Sequence, residues 1–327
     1  MRFATGKGSG HVRQATWPVT VFGGGGFIGR YVCETLFKAG IRVRVAERHP
    51  RRAFFLQPLA AVGQLDLIAA DITRRGSVSR AVEGASAVIN LVGTLKGDFE
   101  ALQAGGAGIV AEETARAGAG ALVHISAIGA DPASPSRYGA SKGHGEAKVR
   151  SAFKQATLIR PSLVFGPEDQ LTNRFATLMS LLPVYPVIAP KTRFQPVYVR
   201  DLAQAIVAAA LDPNTHGGKT YEIAGPDVVT MRELTENIAA TAGQSPSLFD
   251  LPDFAADALS YLGFLPGAPL TRDQWMMLKT DNVAGKKSPG LAAFGITPTP
   301  MAAVADEWLA RFHQGGRFAA RKEASAS

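Results

Sequence analysis

A single cysteine, Cys33, is present among 327 residues. One thiol can neither close an internal disulfide nor build a cysteine-ligated zinc or iron–sulfur site, and so sparing a use of cysteine suits a reducing compartment. The six histidines lie far apart, with no H-x-x-x-H spacing, so no metal site is expected. Long apolar runs are missing too: none reaches the about 18–20 residues that a membrane-crossing helix needs. The opening MRFATGKGSGHVRQATWP has no apolar stretch of the signal-peptide kind. A soluble, cytoplasmic chain is therefore expected. Charged residues make up only 19% against 46% hydrophobic, which supplies core for one large α/β domain or two ordinary ones and argues against intrinsic disorder.

The charge that is present is placed unevenly. The formal net charge is +8, and residues 1–80 hold thirteen Lys/Arg against four Asp/Glu, the remainder 22 against 23. Such an excess suits a polyanion, whether nucleic acid, anionic lipid or a phosphorylated cofactor, or else is a scatter of solvated arginines.

Residues 1–16 and 315–327 are small, polar and basic, and read as flexible tails. From Val19 onward apolar runs alternate with Gly-containing turns and helical stretches: VTVFG, IRVRVA, LDLIAA, SAVINLV, ALVHIS and ATLIRPSLVF. Runs this short and continuous fit strands buried on both faces, and strict β/α alternation implies a doubly wound parallel sheet. After about Pro161 a series of prolines breaks the pattern into a smaller lobe. FQPVYVRDLAQAIVAAAL, with Asp201 as the expected N-cap of its helix, and TYEIAG still look like parts of the first lobe. The expected organisation is a nucleotide domain at 17–165, to which 195–225 returns, and a smaller interleaved lobe within 166–314.

The first strand runs directly into Gly23-Gly24-Gly25-Gly26-Phe27-Ile28-Gly29 and then a helix, RYVCETLFKAG, which Gly40 ends. In the G-x-x-G-x-x-G spacing of Gly23, Gly26 and Gly29, the first permits a tight turn, the second lets backbone approach a pyrophosphate, and the third lets helix pack on strand. The helix N-terminus then offers unpaired N–H groups and the positive end of its dipole to the phosphates. No Lys-Ser/Thr follows, so a P-loop is excluded. The second strand ends at Glu47-Arg48, followed by Arg51 and Arg52. Glu47 suits the ribose hydroxyls of NAD, the arginines suit the 2′-phosphate of NADP, and whichever side chain points inward decides. The basic cluster favours NADP(H), with NAD(H) the alternative.

The loop GGGGFIG resembles the opening of extended and atypical short-chain dehydrogenase/reductases, the epimerase/dehydratase superfamily, whose nucleotide domain is a Rossmann fold. RPSLVFGPED (160–169) is similar to its R-P-x-x-V-Y-G-P segment, and QPVYVRDLA (195–203) to its H-V-x-D-V-A segment. The resemblance spans residue 19 to about 312. It implies adenine contacts from Asp71-Ile72, cofactor contacts from Leu91-Val92-Gly93 after the fourth strand, and a further one at Pro161. LTNRFA, GKTYEIAGP and LTRDQWMMLKTDN make the match closest to the nucleotide-binding accessory subunits of respiratory complex I and their bacterial relatives.

Tyr138-Gly-Ala-Ser-Lys142 places a phenol and an ammonium on one helix face at i,i+4. An adjacent ammonium stabilises phenolate, and Lys142 can also donate to the nicotinamide ribose. Ser126, ending ALVHIS, is set to hold a substrate carbonyl. Together the three form a hydride-transfer site: Ser126 polarises, Tyr138 passes the proton, and Lys142 tunes and binds cofactor. The stretch from Ser126 to Tyr138 is shorter than in sugar epimerases, which leaves Ser126's place relative to substrate open. His144, two residues past Lys142, faces elsewhere, and Cys33 reads as a small core residue.

In the second lobe 178–194, too irregular for a helix, and 253–270 are unusually apolar. They suit a hydrophobic or quinone-like substrate pocket, or a face that meets a membrane or partner. Two functions follow. One is an oxidoreductase acting on a hydrophobic carbonyl, alcohol or quinone. The other is a non-catalytic nucleotide-binding accessory protein of a respiratory assembly on the inner face of the membrane. A homodimer is compatible with the superfamily. Nucleic acid is set aside, because cofactor phosphates account for the arginines more simply.

Overall fold

The computed structural model describes residues 18–263 and 270–313; the expected tails at 1–16 and 315–327 lie outside the described residues, as does part of the apolar 253–270. The chain opens with β1 (Val19–Phe22), α1 (Phe27–Lys38), β2 (Val43–Glu47) and β3 (Leu65–Ala69). It continues through α2 (Arg75–Val82), β4 (Ala87–Asn90), α3 (Ala107–Arg116), β5 (Ala121–Ile125), α4 (Arg137–Ala152) and β6 (Thr157–Pro161). Next come β7 (Val164–Phe165), α5 (Gln170–Leu181), β8 (Val184–Val187), β9 (Arg193–Phe194), β10 (Val197–Tyr198), α6 (Val199–Leu211) and α7 (Pro213–His216). The described chain closes with β11 (Thr220–Ile223), β12 (Val229–Thr230), α8 (Met231–Thr241), β13 (Ser247–Asp250), α9 (Asp253–Tyr261), α10 (Arg272–Leu278) and α11 (Asp306–Leu309).

Seven strands form one sheet in the order β11-β6-β5-β4-β1-β2-β3. Every pairing in it is parallel. This is the doubly wound α/β arrangement, and the order reverses beside β1, where ligands of such sheets bind. Because successive side chains point to opposite faces, Val21, Ile89 and Val123 join a core under α1 and α6. Phe22, Val88 and Leu122 join a second core under α2, α3 and α4. Each fully buried aliphatic side chain of these layers contributes about 1.5–3 kcal/mol of transfer free energy. β11 pairs with β6 at the far edge, so residues around 220 return to the sheet after an excursion of some sixty positions.

Three local expectations are corrected. β3 is not buried on both faces: as the other edge strand it leaves Asp66 and Ala69 exposed. α6 begins at Val199 with Tyr198 as N-cap, and Asp201 lies inside the first turn, where its carboxylate accepts from Thr299 N (2.7 Å) and Oγ1 (3.1 Å). The stretch 178–194 is partly helical. Asp169 caps α5 by accepting from Thr172 N at 2.6 Å, and the helix runs through Leu181 because the first proline comes only at 183. β8 then pairs in parallel with β13.

Residues late in the described chain pack back on the segment that follows β6. Trp308 of α11 stacks on Phe165 with centroids 6.4 Å apart, and Asn282 Oδ1 accepts from Ser162 Oγ (2.7 Å) and Leu163 N (3.0 Å). Ala256, Leu270 and Trp275 with Ala189 form a small core of their own.

Candidate functional site

The glycine loop leaves β1 in a conformation few side chains tolerate. Gly23 has φ +81°, its N–H donates to Ala46 O at 3.2 Å, and Gly26 N donates back to Gly23 O at 3.1 Å. Gly26 is then the N-cap of α1, with no side chain filling the first-turn donors. A Cβ on Gly29 would stand 2.2 Å from Gly23 O, so helix and loop meet backbone to backbone. A Cβ on Gly23 would meet Leu91 and Val92 at the end of β4 at 3.4 Å. Phe27 and Ile28 are half-buried, and Phe27 reaches Gly166 of the GPED turn.

At the end of β2 the carboxylate of Glu47 points inward. Its Oε1 accepts the Gly25 N–H at 2.7 Å. Arg48 is exposed, as are Arg51 and Arg52, and Arg48 is near enough to Asp71 to help hold that carboxyl below its usual range. The larger causes there are hydrogen bonds from the Thr73 hydroxyl and N–H. Ile72 is buried against Gly106, where a Cβ would collide with it at 2.6 Å.

The ends of β4 and β5 and the first turns of α4 converge beside this loop. Ser136 caps α4 by accepting from Gly139 N. One turn on, Lys142 is 3% exposed and donates from Nζ to Ile125 O at 3.0 Å, next to Ser126. The Lys142 Nζ stands 5.9 Å from the centroid of the Tyr138 ring, which packs edge-on against Phe99 at 6.2 Å. The Ser126 hydroxyl is buried and has no partner among the described residues. A Cβ on Gly93 would lie 3.3 Å from Lys142 Nζ and 3.5 Å from Gln103 Oε1, which is also unpartnered. Pro161 is buried at the end of β6, its carbonyl accepting from Ile128 N just past Ser126 at 3.1 Å. The structure thus brings together Ser126, Tyr138, Lys142 and Gly93, with the glycine loop, Leu91 and Val92 adjoining and Glu47, Arg48, Asp71 and Ile72 at and beyond the ends of β2 and β3.

The electrostatics differ in one respect from the phenol–ammonium pair expected. Burial pushes the Tyr138 phenol up to about 12, and the Lys142 ammonium is turned to the Ile125 carbonyl. Burial also brings Lys142 down to about 8, against the opposing pull of Glu146. Glu146 is itself gripped by Arg160, Nε to Oε1 at 2.8 Å and Nη2 to Oε2 at 2.6 Å. Nucleotide that accepts a hydrogen bond from Lys142 favours its charged form. Affinity is therefore expected to be level below pH about 8 and to fall above it, by up to about tenfold per pH unit. Fluorescence titration with reduced nucleotide across that pH range checks this, and Lys142→Met should flatten the profile.

Sequence reasoning passed over Gln103, His124 and Asp273. Gln103 sits in a π-helical stretch, Glu100–Gly106, and donates to Ser141 Oγ at 3.0 Å. His124 is held neutral by burial, down to about 3, with the Lys142 charge adding to the effect. Asn90 Oδ1 accepts from Val92 N, so its amide nitrogen faces His124 Nδ1 at 3.3 Å and the ring proton sits on Nε2. Asp273 reaches from α10 to the start of α4. A T-x-x-Q capping pattern at Thr271 and Gln274 marks the start of α10, but no local signal marks a contact across 135 positions.

Residues 19–224 match the NAD dependent epimerase/dehydratase family. The chain belongs to that family. This epimerase/dehydratase family member is 34% identical over 301 residues, 89% of its own length and 79% of the relative's, to NADH dehydrogenase (ubiquinone) 1 alpha subcomplex subunit 9, mitochondrial, of Mus musculus. It is 30% identical over 239 residues, 72% of its length and 74% of the other's, to the ceramide reductase of Caulobacter vibrioides. Among solved structures it shares its fold with an NADPH-dependent quinone oxidoreductase from Escherichia coli complexed with NADPH, at TM-score 0.72 and 20% identity over 88% of this chain and 99% of that one. No helix among the described residues is long and apolar enough to cross a membrane.

Proposed function

We propose that this family member is an oxidoreductase that reduces a hydrophobic carbonyl or quinone with NADP(H). The observation that carries the proposal is the buried, unpartnered Ser126 hydroxyl beside Ile125 O, Lys142 and Tyr138. A polar group left without a partner in a dry site costs about 1–3 kcal/mol, a penalty that a substrate oxygen accepting from Ser126 removes. The loop fits a dinucleotide: the missing Cβ of Gly29 lets α1 and the loop meet backbone to backbone, and the first-turn donors of α1, with no side-chain cap at Gly26, are left for a pyrophosphate. When bound, the nicotinamide supplies the hydride. Tyr138 delivers the proton to the carbonyl oxygen, Ser126 donates to that oxygen, and Lys142 holds the ribose. A phenol at about 12 remains protonated at neutral pH, which suits proton donation to a nascent alkoxide.

Arg48, exposed and beside Asp71, supports NADP(H) over NAD(H). The inward Glu47 carboxylate works against a 2′-phosphate, and its bond to Gly25 N–H lessens that effect. Glu47→Gln is expected to raise the NADPH:NADH affinity ratio by about tenfold and Arg48→Ala to lower it by a similar factor, from the loss of one charge contact at each. Competitive fluorescence titration reads both.

The test of function is release of bound nucleotide from freshly purified protein with identification by mass spectrometry, followed by NADPH oxidation with 9,10-phenanthrenequinone. Turnover supports the proposal, and a tightly held NADPH that never oxidises with any carbonyl or quinone removes it. A second reading, a nucleotide-binding subunit of a respiratory assembly at the membrane, is favoured by the similarity to the mouse subunit and by exposed apolar side chains of the second lobe, Leu181 at 72% and Phe254 at 78%. Co-migration of the tagged chain with respiratory subunits in mild detergent supports it, and recovery only as a small free species counts against it.

A further inference from the structure

The first turn of α4, which carries Tyr138, is met by a side chain of α10. Asp273 Oδ1 accepts from Arg137 N at 2.6 Å, and Oδ2 accepts from Tyr138 N at 3.2 Å and from Ser136 Oγ at 3.3 Å. Backbone donors at a helix start have no partner within the helix, and a carboxylate meets them both as acceptor and as a negative charge at the positive end of the dipole. Ser136 already caps Gly139, so Asp273 takes the donors that the local cap leaves.

The opposite side of α4 is fixed. A Cβ on Gly143 would lie 2.3 Å from Pro132 N, and one on Gly139 would lie 2.5 Å from Ser134 Oγ, so the helix is pressed against 131–134. Lys142 is anchored separately on Ile125 O. The remaining freedom at Tyr138 is a tilt of the first turn away from that wall, and Asp273 opposes it. Asp273 in turn sits on α10, whose Trp275 is packed into the small core with Ala256 and Leu270 and donates from Nε1 to Asp257 Oδ1 at 2.8 Å. α10 is therefore seated on the small core, with Leu278 at its end touching the large core as well.

We infer that Asp273 is a positioning residue through which α10 sets the aim of the Tyr138 phenol while leaving nucleotide binding alone. The inference rests on the proposed function for its catalytic consequence, but the contact itself can be read without turnover.

The experiment uses the full chain labelled with 3-fluorotyrosine, its six tyrosines resolved by fluorine NMR and the Tyr138 line assigned with Tyr138→Phe. Asp273→Ala should move the Tyr138 line and leave the other five in place, and Asp273→Asn, which keeps one acceptor oxygen, should move it less. NADPH affinity should stay within about threefold. With 9,10-phenanthrenequinone, Asp273→Ala should lose about tenfold or more in kcat, because a misplacement of about 1 Å at a reacting group is that costly. Ser136→Ala serves as the control for simple fraying. If the Tyr138 line does not move, or if Asp273→Ala and Ser136→Ala lose kcat in proportion to their loss of thermal stability, the inference is overturned. If the unsubstituted chain shows no turnover, the proposed function fails, and the fluorine shift alone then decides the positioning role. Should Asp273→Ala not fold, Asp273→Asn carries the same measurements.

Discussion

Tyr138→Phe is expected to lower turnover by about a hundredfold to ten-thousandfold, the range that a positioned proton donor contributes, with NADPH affinity changed less than about threefold. The separation follows from what the hydroxyl does in the free chain. It has no hydrogen-bond partner among the described residues, since the contacts of Tyr138 run through its N–H to Asp273 and its carbonyl to Ser141 Oγ. Phenylalanine keeps the ring, and with it the edge-on packing against Phe99. Thermal stability should therefore hold within about 0.5 kcal/mol, as for a substitution that leaves packing intact. The Lys142 contact to Ile125 O is untouched, so the cofactor side of the site persists. Steady-state kinetics with 9,10-phenanthrenequinone and a parallel binding titration give the answer. Turnover retained in Tyr138→Phe would remove Tyr138 as the proton donor, and loss of both binding and turnover would make it a structural residue.

The α/β alternation, the glycine loop and the Y-x-x-x-K helix were legible in the sequence because each is a local pattern with a local cause. Continuous β-branched runs make buried strands, a missing Cβ makes a close backbone approach, and i,i+4 spacing makes a shared face. The misplaced details have tertiary causes. Nothing in LDLIAA tells that β3 ends up at the sheet edge, where one neighbour is missing. Asp201 has the chemistry of an N-cap but is claimed instead by Thr299, nearly a hundred residues on. Leu178 and Leu181 sit in the last turn of α5 because Asp169 starts that helix well upstream. Where the Lys142 ammonium points was not legible either: spacing fixes the helix face, but the free carbonyl at the end of β5 decides the direction. Asp273 belongs to the same class, a carboxylate whose partners are backbone groups and so leave no trace in residue identity.

Gly29→Ala is expected to abolish useful nucleotide binding. The new Cβ would lie 2.2 Å from Gly23 O, 2.6 Å from Gly24 Cα and 2.7 Å from Gly24 C, all backbone atoms that cannot swing aside as a side-chain tip could. Relief requires that α1 retreat from the loop or that the loop unwind. The first loosens a core in which Val32, Cys33 and Leu36 are fully buried. The second breaks the Gly26 N–H contact to Gly23 O and displaces the donors meant for the pyrophosphate. Overpacking of this kind costs about 3 kcal/mol, enough to lower affinity about a hundredfold if the loop yields, or to lower the melting temperature by several degrees if the helix does. Gly76→Ala is the matched control. It lies within α2, where its Cβ would meet only Arg80 Nη1 at 4.0 Å, so it should bind NADPH normally and gain up to about 1 kcal/mol from better helix propensity. Isothermal titration with NADPH and a thermal melt on both variants decide the matter. A Gly29→Ala protein that binds and melts like the unsubstituted chain would show that α1 and the loop are not in the backbone contact described, and the dinucleotide cradle would have to lie elsewhere.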